Sequence, residues 1–201
     1  MTRSQVIIRH CDSYNVDRIH NLIREGMQSL EIEPAGLTIL KPNTVIAHQK
    51  YFPHAFTRPE FIDGYIRALK EYDSITELRF GERCGITIPT RHGFSDAGYY
   101  PVLKKNGVKP AHFEEMPQVE RRLRHPDALR DLVYIPEMVD RCQFFANAPK
   151  FKAHPWTKIT CALKNYMGLQ DDNHRLIDHD HELEVKIVDL QEVIRNGFIA
   201  V

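Results

Sequence analysis

Between Asn147 and Leu169 the sequence reads NAPKFKAHPWTKITCALKNYMGL, which sets Lys150, Lys152, Lys158 and Lys164 around His154. Ammonium and imidazole groups in that density suit recognition of a carboxylate or phosphate. An amine withdrawn from water also loses basicity and becomes a base or an imine-forming nucleophile. Lys150 and Lys152 are two apart, so a strand would turn them to the same side. Beyond them Trp156, Ile159, Ala162, Leu163, Tyr166 and Met167 recur at helical spacing, which predicts a helix over Trp156–Leu169 stopped near Gly168. The free N–H groups at the start of such a helix would join Lys150, Lys152, His154 and Thr157 in an anion-binding rim. The competing reading is plainer. Lysines flanking a helix are commonly solvated, and Lys164 would then only complement the helix dipole.

Further chemistry lies elsewhere in the chain. LKPN holds Lys41 and Asn43, and GER holds Glu82. Buried near the lysines, Glu82 would serve as an acid or counter-charge. The stretch NHRLIDHDHELE carries His174, His179 and His181 with intervening aspartates, a spacing able to take a divalent cation, although a polar loop is the plainer reading. G-x-S-x-G, Walker and G-x-G-x-x-G patterns are absent, so serine hydrolase, P-loop and dinucleotide-binding readings lack support.

The elements that must position these residues follow from periodicity. SQVIIRHC (Ser4–Cys11) predicts a first strand. Val16, Ile19, Ile23, Met27 and Leu30 mark a helix. LTILKPN (Leu37–Asn43) predicts a second strand stopped by Pro42. In FTRPEF, Thr57 and Glu60 form a capping box, flanked by Phe56 and Phe61 as a staple and followed by a helix to about Lys70. SITELRF predicts a third strand. A helix over Ser95–Lys105 should end at Gly107. DLVYIP and CQFFANAP predict two more strands, and ELEVKIVDLQEVIRNGFIAV a strand, a short helix and a last apolar run. Alternating strands and helices imply an α/β fold in one domain over 1–201, a mostly parallel sheet with crossover helices. Ligands in such sheets bind beyond the carboxyl ends of the strands, where Lys41 and Glu82 would sit.

Lys plus Arg and Asp plus Glu both number 27 in the 201-residue chain, so no global field favours nucleic acid or an anionic membrane. No apolar run reaches membrane-spanning length, and the N-terminus lacks the apolar stretch of a signal peptide. Cys11, Cys84, Cys142 and Cys161 are widely spaced, without a C-x-x-C pair, and read as cytosolic free thiols rather than iron–sulfur ligands.

Pro149, Lys150, Phe151, Lys152, His154, Thr160, Ala162, Leu163, Lys164, Asn165 and Gly168 together resemble the most recognisable segment of the domain of unknown function 362 family. LKPN (Leu40–Asn43), TRPE (Thr57–Glu60) and Gly81-Glu82 resemble its other motifs. Ala153 stands where a threonine is usual. The resemblance implies an α/β fold with a ligand site and gives added weight to Lys164 and Asn165. Some members carry iron–sulfur modules, for which this chain has no cysteine motif. The family continues past a final strand into a glycine-rich loop, whereas this chain ends at Val201, which implies a truncated form. By fold-level analogy the family is similar to nickel-dependent lactate racemases, which use lysine and histidine around an organic nickel cofactor.

The resulting expectation is a cytoplasmic enzyme binding a small anionic ligand or cofactor, with redox or metal linkage and with cofactor and reaction unknown. Lys150, Lys152, His154 and Glu82 are its catalytic candidates. Lys41, Asn43, Thr157, Lys164 and Asn165 are its ligand-binding candidates, and His154 its metal candidate. The alternative is a non-catalytic accessory subunit docking an acidic protein or redox module.

Overall fold

The β-branched and apolar run Gly36–Pro42 (β1) lies at the centre of a five-stranded sheet. The computed structural model describes residues 5–194 and 196–201. In chain order the elements are α1 (Val16–Ser29), β1, α2 (Pro59–Leu69), β2 (Ile75–Glu82), α3 (Thr90–Ala97), α4 (Tyr99–Asn106), β3 (Lys109–His112), β4 (Gln118–Arg122), β5 (Leu132–Pro136), α5 (Glu137–Arg141) and β6 (Phe144–Ala148). There follow β7 (Lys152–His154), β8 (Lys158–Thr160), a 3₁₀ segment Leu163–Leu169, α6 (Asp172–Asp178), α7 (Leu183–Asp189) and β9 (Gly197–Ile199).

The sheet order is β3-β2-β1-β6-β9 and every pairing is parallel. β4 with β5 and β7 with β8 form separate antiparallel hairpins. Alternation along the strands makes two cores. Leu40, Phe80, Phe144 and Ala146 face α1, α2 and α4, while Ile39, Ala111 and Phe145 face β5, the 3₁₀ segment and α7. Both faces of the sheet are therefore covered, as an all-parallel sheet requires. The expected α/β class with crossover helices is the observed one. Among the described residues no helix is long and apolar enough to cross a membrane.

Several expected elements differ. Of the first strand, Ser4 lies outside the described residues. From Gln5 to Cys11 no strand forms, and Val6 and Ile8 are exposed. Extended propensity makes a strand only where a neighbour supplies pairing and packing. Ser95–Lys105 is not one helix. Gly98, at φ 78°, separates α3 from α4, and Gly107 ends α4 in the left-handed conformation as expected. The strand expected over ELEVKIV is helix α7, because Leu183, Ile187 and Leu190 are buried at helical spacing whereas Val185 and Val188 are exposed.

The helix expected over Trp156–Leu169 is also replaced, by the β7–β8 hairpin and the 3₁₀ segment. Pro155 biases His154 toward extended backbone, and β-branched Ile159 and Thr160 continue extended after the turn. Only the second half of the expected apolar face is buried. Tyr166 and Met167 enter the core, while Trp156, Ile159 and Leu163 remain exposed.

Candidate functional site

From β1 the chain steps outward through β2 to β3 and then returns to lay β6 on the other side of β1. The order of the strands thus reverses between β1 and β6, and at such a switch point the carboxyl ends part to leave a crevice. Lys41 and Asn43 lie at the end of β1, Glu82 ends β2, and Asn147 lies near the end of β6. The topology brings all four to one rim.

The floor of the rim is a buried polar network. Lys41 Nζ lies 2.5 Å from Glu82 Oε1. It also donates to Asn165 Oδ1 at 3.0 Å and to the Pro42 carbonyl at 3.2 Å. Glu82 accepts from the backbone N–H groups of Arg83 (2.9 Å) and Thr44 (3.1 Å). Burial is the chief influence on both groups, lowering Lys41 and raising Glu82, while their mutual attraction opposes each shift. Asn165 is the hub. Its Oδ1 accepts from Lys41 and from Asn43 Nδ2, and its Nδ2 donates to the Pro42 carbonyl and, at 2.7 Å, to Asn147 Oδ1. The Oδ1 of Asn43 is buried without a partner among the described residues. Gly168 seals the floor. A Cβ there would fall 2.7 Å from Glu82 Oε1 and 3.1 Å from Lys41 Nζ, so only glycine permits the approach.

Thr57 does not act as the cap of α2. The N-cap is Arg58, without a side-chain cap bond, and Glu60 pairs with Arg58 instead of closing a capping box. The Thr57 hydroxyl accepts from Asn43 N (2.9 Å) and donates to the Ala148 carbonyl (2.7 Å), tying the exit of β1 to that of β6. A tertiary link across the switch point has displaced the local motif.

Above this floor stand four basic side chains. Lys152 Nζ donates to the Ala55 carbonyl at 2.6 Å. Lys164 Nζ lies 3.2 Å from His179 Nε2, and His179 Nδ1 lies 2.7 Å from the Arg175 carbonyl. His154 Nδ1 accepts from the N–H groups of Trp156 and Thr157 at 3.2 Å. The Trp156 ring lies beside both imidazoles, its centroid 5.7 Å from His154 and 6.0 Å from His179. Burial brings Lys152 down to about 8 against the opposing pull of Glu82, and burial followed by the charges of Arg175 and Lys152 brings Lys164 down to about 8. Burial first, then Lys164, His179 and Lys152, brings His154 down to about 4. His179 is lowered by burial as well, against the bond to the Arg175 carbonyl. At neutral pH the rim therefore holds two ammonium groups and two neutral imidazoles.

The family model described as Domain of unknown function (DUF362) matches residues 38–201. The chain belongs to this family. Among curated proteins, none matches the chain. The DUF362 match opens in β1 and takes in both the floor and the basic cluster.

Of the site residues read from the DUF362 sequence, Lys41, Asn43, Glu82 and Asn165 meet in the floor, and Lys152, His154 and Lys164 meet above it. Lys150 is turned away. Its ammonium contacts the Tyr14 hydroxyl at 2.9 Å, beside a separate cleft of about 970 Å³ between the N-terminal segment, α1 and β9. Lys150 and Lys152 do not share a strand face, because β7 begins only at Lys152. Thr157 closes the hairpin turn, donating to the Ile159 carbonyl at 2.9 Å, and caps no helix. His174 bonds to Asp171 and stacks on Tyr134. Among the described residues no group of three or more His, Cys, Asp or Glu side chains is placed to hold a metal ion. Asn147 is missing from the candidates read from the sequence, and His179 stands there only in a cation-binding spacing. Asn147 shows as a polar residue inside the apolar run FFANA. His179 lies four residues after Arg175, whose carbonyl it meets one helical turn on.

Proposed function

We propose that this DUF362 chain binds a small anionic ligand or cofactor at the β1–β6 rim and acts on it as an enzyme. The observation that carries this reading is the pair Lys152 and Lys164. Both are withdrawn from water, the charge of Lys152 lowers Lys164, and neither forms an ion pair with a carboxylate among the described residues. A carboxylate or phosphate between them supplies the missing counter-charge, and in a partly buried site such pairing is strong. The orphaned Asn43 Oδ1 offers an acceptor beside the floor for a ligand hydroxyl or amine.

Trp156, the single tryptophan of the chain, lies within this cluster and reports on it. Phosphate or pyruvate titrated into the protein at pH 7 should change Trp156 fluorescence saturably. Lys152→Ala should abolish the response while leaving the circular dichroism spectrum intact. An unchanged response in Lys152→Ala would remove the anion assignment.

A second reading has its own support. Phe151, Trp156, Ile159 and Leu163 are exposed around the cations, and an apolar rim about a charged centre suits an acidic partner protein or redox module. A chain that ignores small anions but co-purifies with an acidic protein would favour this accessory role.

A further inference from the structure

Three lysines converge on the rim, and their surroundings give them different chemistry. Lys41 is held by Glu82 within the buried floor. Lys152 donates to a backbone carbonyl, which accepts from an ammonium and takes no proton from it. Lys164 meets an imidazole outside the sealed floor. The Arg175 carbonyl can only accept, so His179 carries its proton on Nδ1, and its Nε2 turns a lone pair to the Lys164 amine at 3.2 Å. Burial and then the neighbouring cations lower that amine to about 8, so that it gives up its proton more readily than an exposed lysine, the circumstance in which a lysine becomes a nucleophile. The Trp156 ring beside His179 gives the same spot an apolar wall.

We infer that Lys164 captures a small carbonyl compound bearing a carboxylate or phosphate as a covalent imine, with Lys152 holding the anionic group and His179 accepting the amine's proton. This rests on the anion-site reading above and names its substrate class. The neutral Nζ attacks the carbonyl carbon, a C–N bond forms, and the carbonyl π pair moves to oxygen, which takes a proton. Nζ releases its own proton through His179 Nε2. The carbinolamine then loses its hydroxyl with one proton as water and leaves an iminium. Amine, carbonyl and one proton thus give iminium and water, with no oxidant or reductant.

The test is incubation of the full chain with pyruvate and sodium borohydride, followed by peptide mass mapping. The expected result is a carboxyethyl adduct on Lys164 in clear excess over exposed Lys104 and Lys109. Lys164→Arg should remove it. His179→Gln should slow its formation about a hundredfold, the scale of a lost general base. No adduct on Lys164, or adducts spread evenly over surface lysines, overturns the inference. In that event a retained Trp156 response leaves the anion site standing, whereas its absence removes both. The mapping is read on the unsubstituted protein, so it does not depend on any variant folding.

Discussion

Two pairs of groups sit one above the other at the β1–β6 switch point, and they are built on opposite terms. Below, Lys41 and Glu82 are buried together, and each remaining polar contact of the pair is made by backbone or by Asn165. Above, Lys152 and Lys164 are withdrawn from water with like charges nearby, and among the described residues neither forms an ion pair, Glu82 acting on Lys152 only from a distance. A compensated buried charge contributes geometry, because it holds the ends of β1 and β2 in register. An uncompensated one stores unfavourable energy that a ligand can relieve. The same residue type thus serves architecture in one layer and recognition in the next.

The contrast breaks most severely if the lower pair loses one member. Glu82→Gln leaves the Lys41 ammonium buried without its counter-ion and should cost about 3–5 kcal/mol, read as a lower urea midpoint. A midpoint within error of the parent would mean that the floor is not held by this pair. Gly168→Ala attacks the same floor from above, because its Cβ would press on Glu82 Oε1 and Lys41 Nζ. Overpacking of this kind costs about 1–3 kcal/mol. Retained stability with lost anion binding would show that the segment over the pair shifts instead of straining.

How much of this was legible in the sequence differs between the same two layers. Lys41, Asn43 and Glu82 of the floor were readable because they close strands, whereas its hub, Asn165, was marked by the family resemblance alone. A β-branched run closing in Lys-Pro-Asn and another closing in Gly-Glu declare their position once a parallel sheet is inferred. The upper layer was readable only as residue types. Its geometry depends on the β7–β8 hairpin, and the apolar residues of that stretch fit a helical period even though half of them face solvent. Periodicity reports burial only when something is present to pack against, and beyond Pro155 the chain has left the sheet. The place of His179 beside Lys164 was hidden for a related reason. It comes from a polar stretch beyond the lysine motif, and only the turn of α6 that places it over the Arg175 carbonyl brings it to Lys164. Thr57 shows the converse error, a correct motif whose donors and acceptors are claimed by more distant partners.

The smallest effect sharpens the contrast most. If Lys152 is uncompensated, Lys152→Met should leave stability unchanged or raise it by about 1 kcal/mol, the reverse of the change at Glu82. The pH dependence follows with a definite sign. Lys152 and Lys164 titrate near 8 in the fold against an ordinary 10.5, so above pH 8 the unfolded chain binds more protons than the folded one. Stability of the ligand-free protein therefore rises with pH from about 8, and this contribution is lost as pH falls through 8. Glu82, Lys41 and Lys150 face Lys152, and Arg175, His179 and Lys152 face Lys164. Cys84, which burial raises to about 12, acts in the opposite direction only above its ordinary 9.0. Thermal melts between pH 8 and 9 should thus show a positive slope that flattens in Lys152→Met. Phosphate should flatten the slope, because the anion holds both amines charged, as they are in the unfolded chain over this range. Parallel slopes with and without phosphate would place the anion away from these two amines and leave the upper layer without its function.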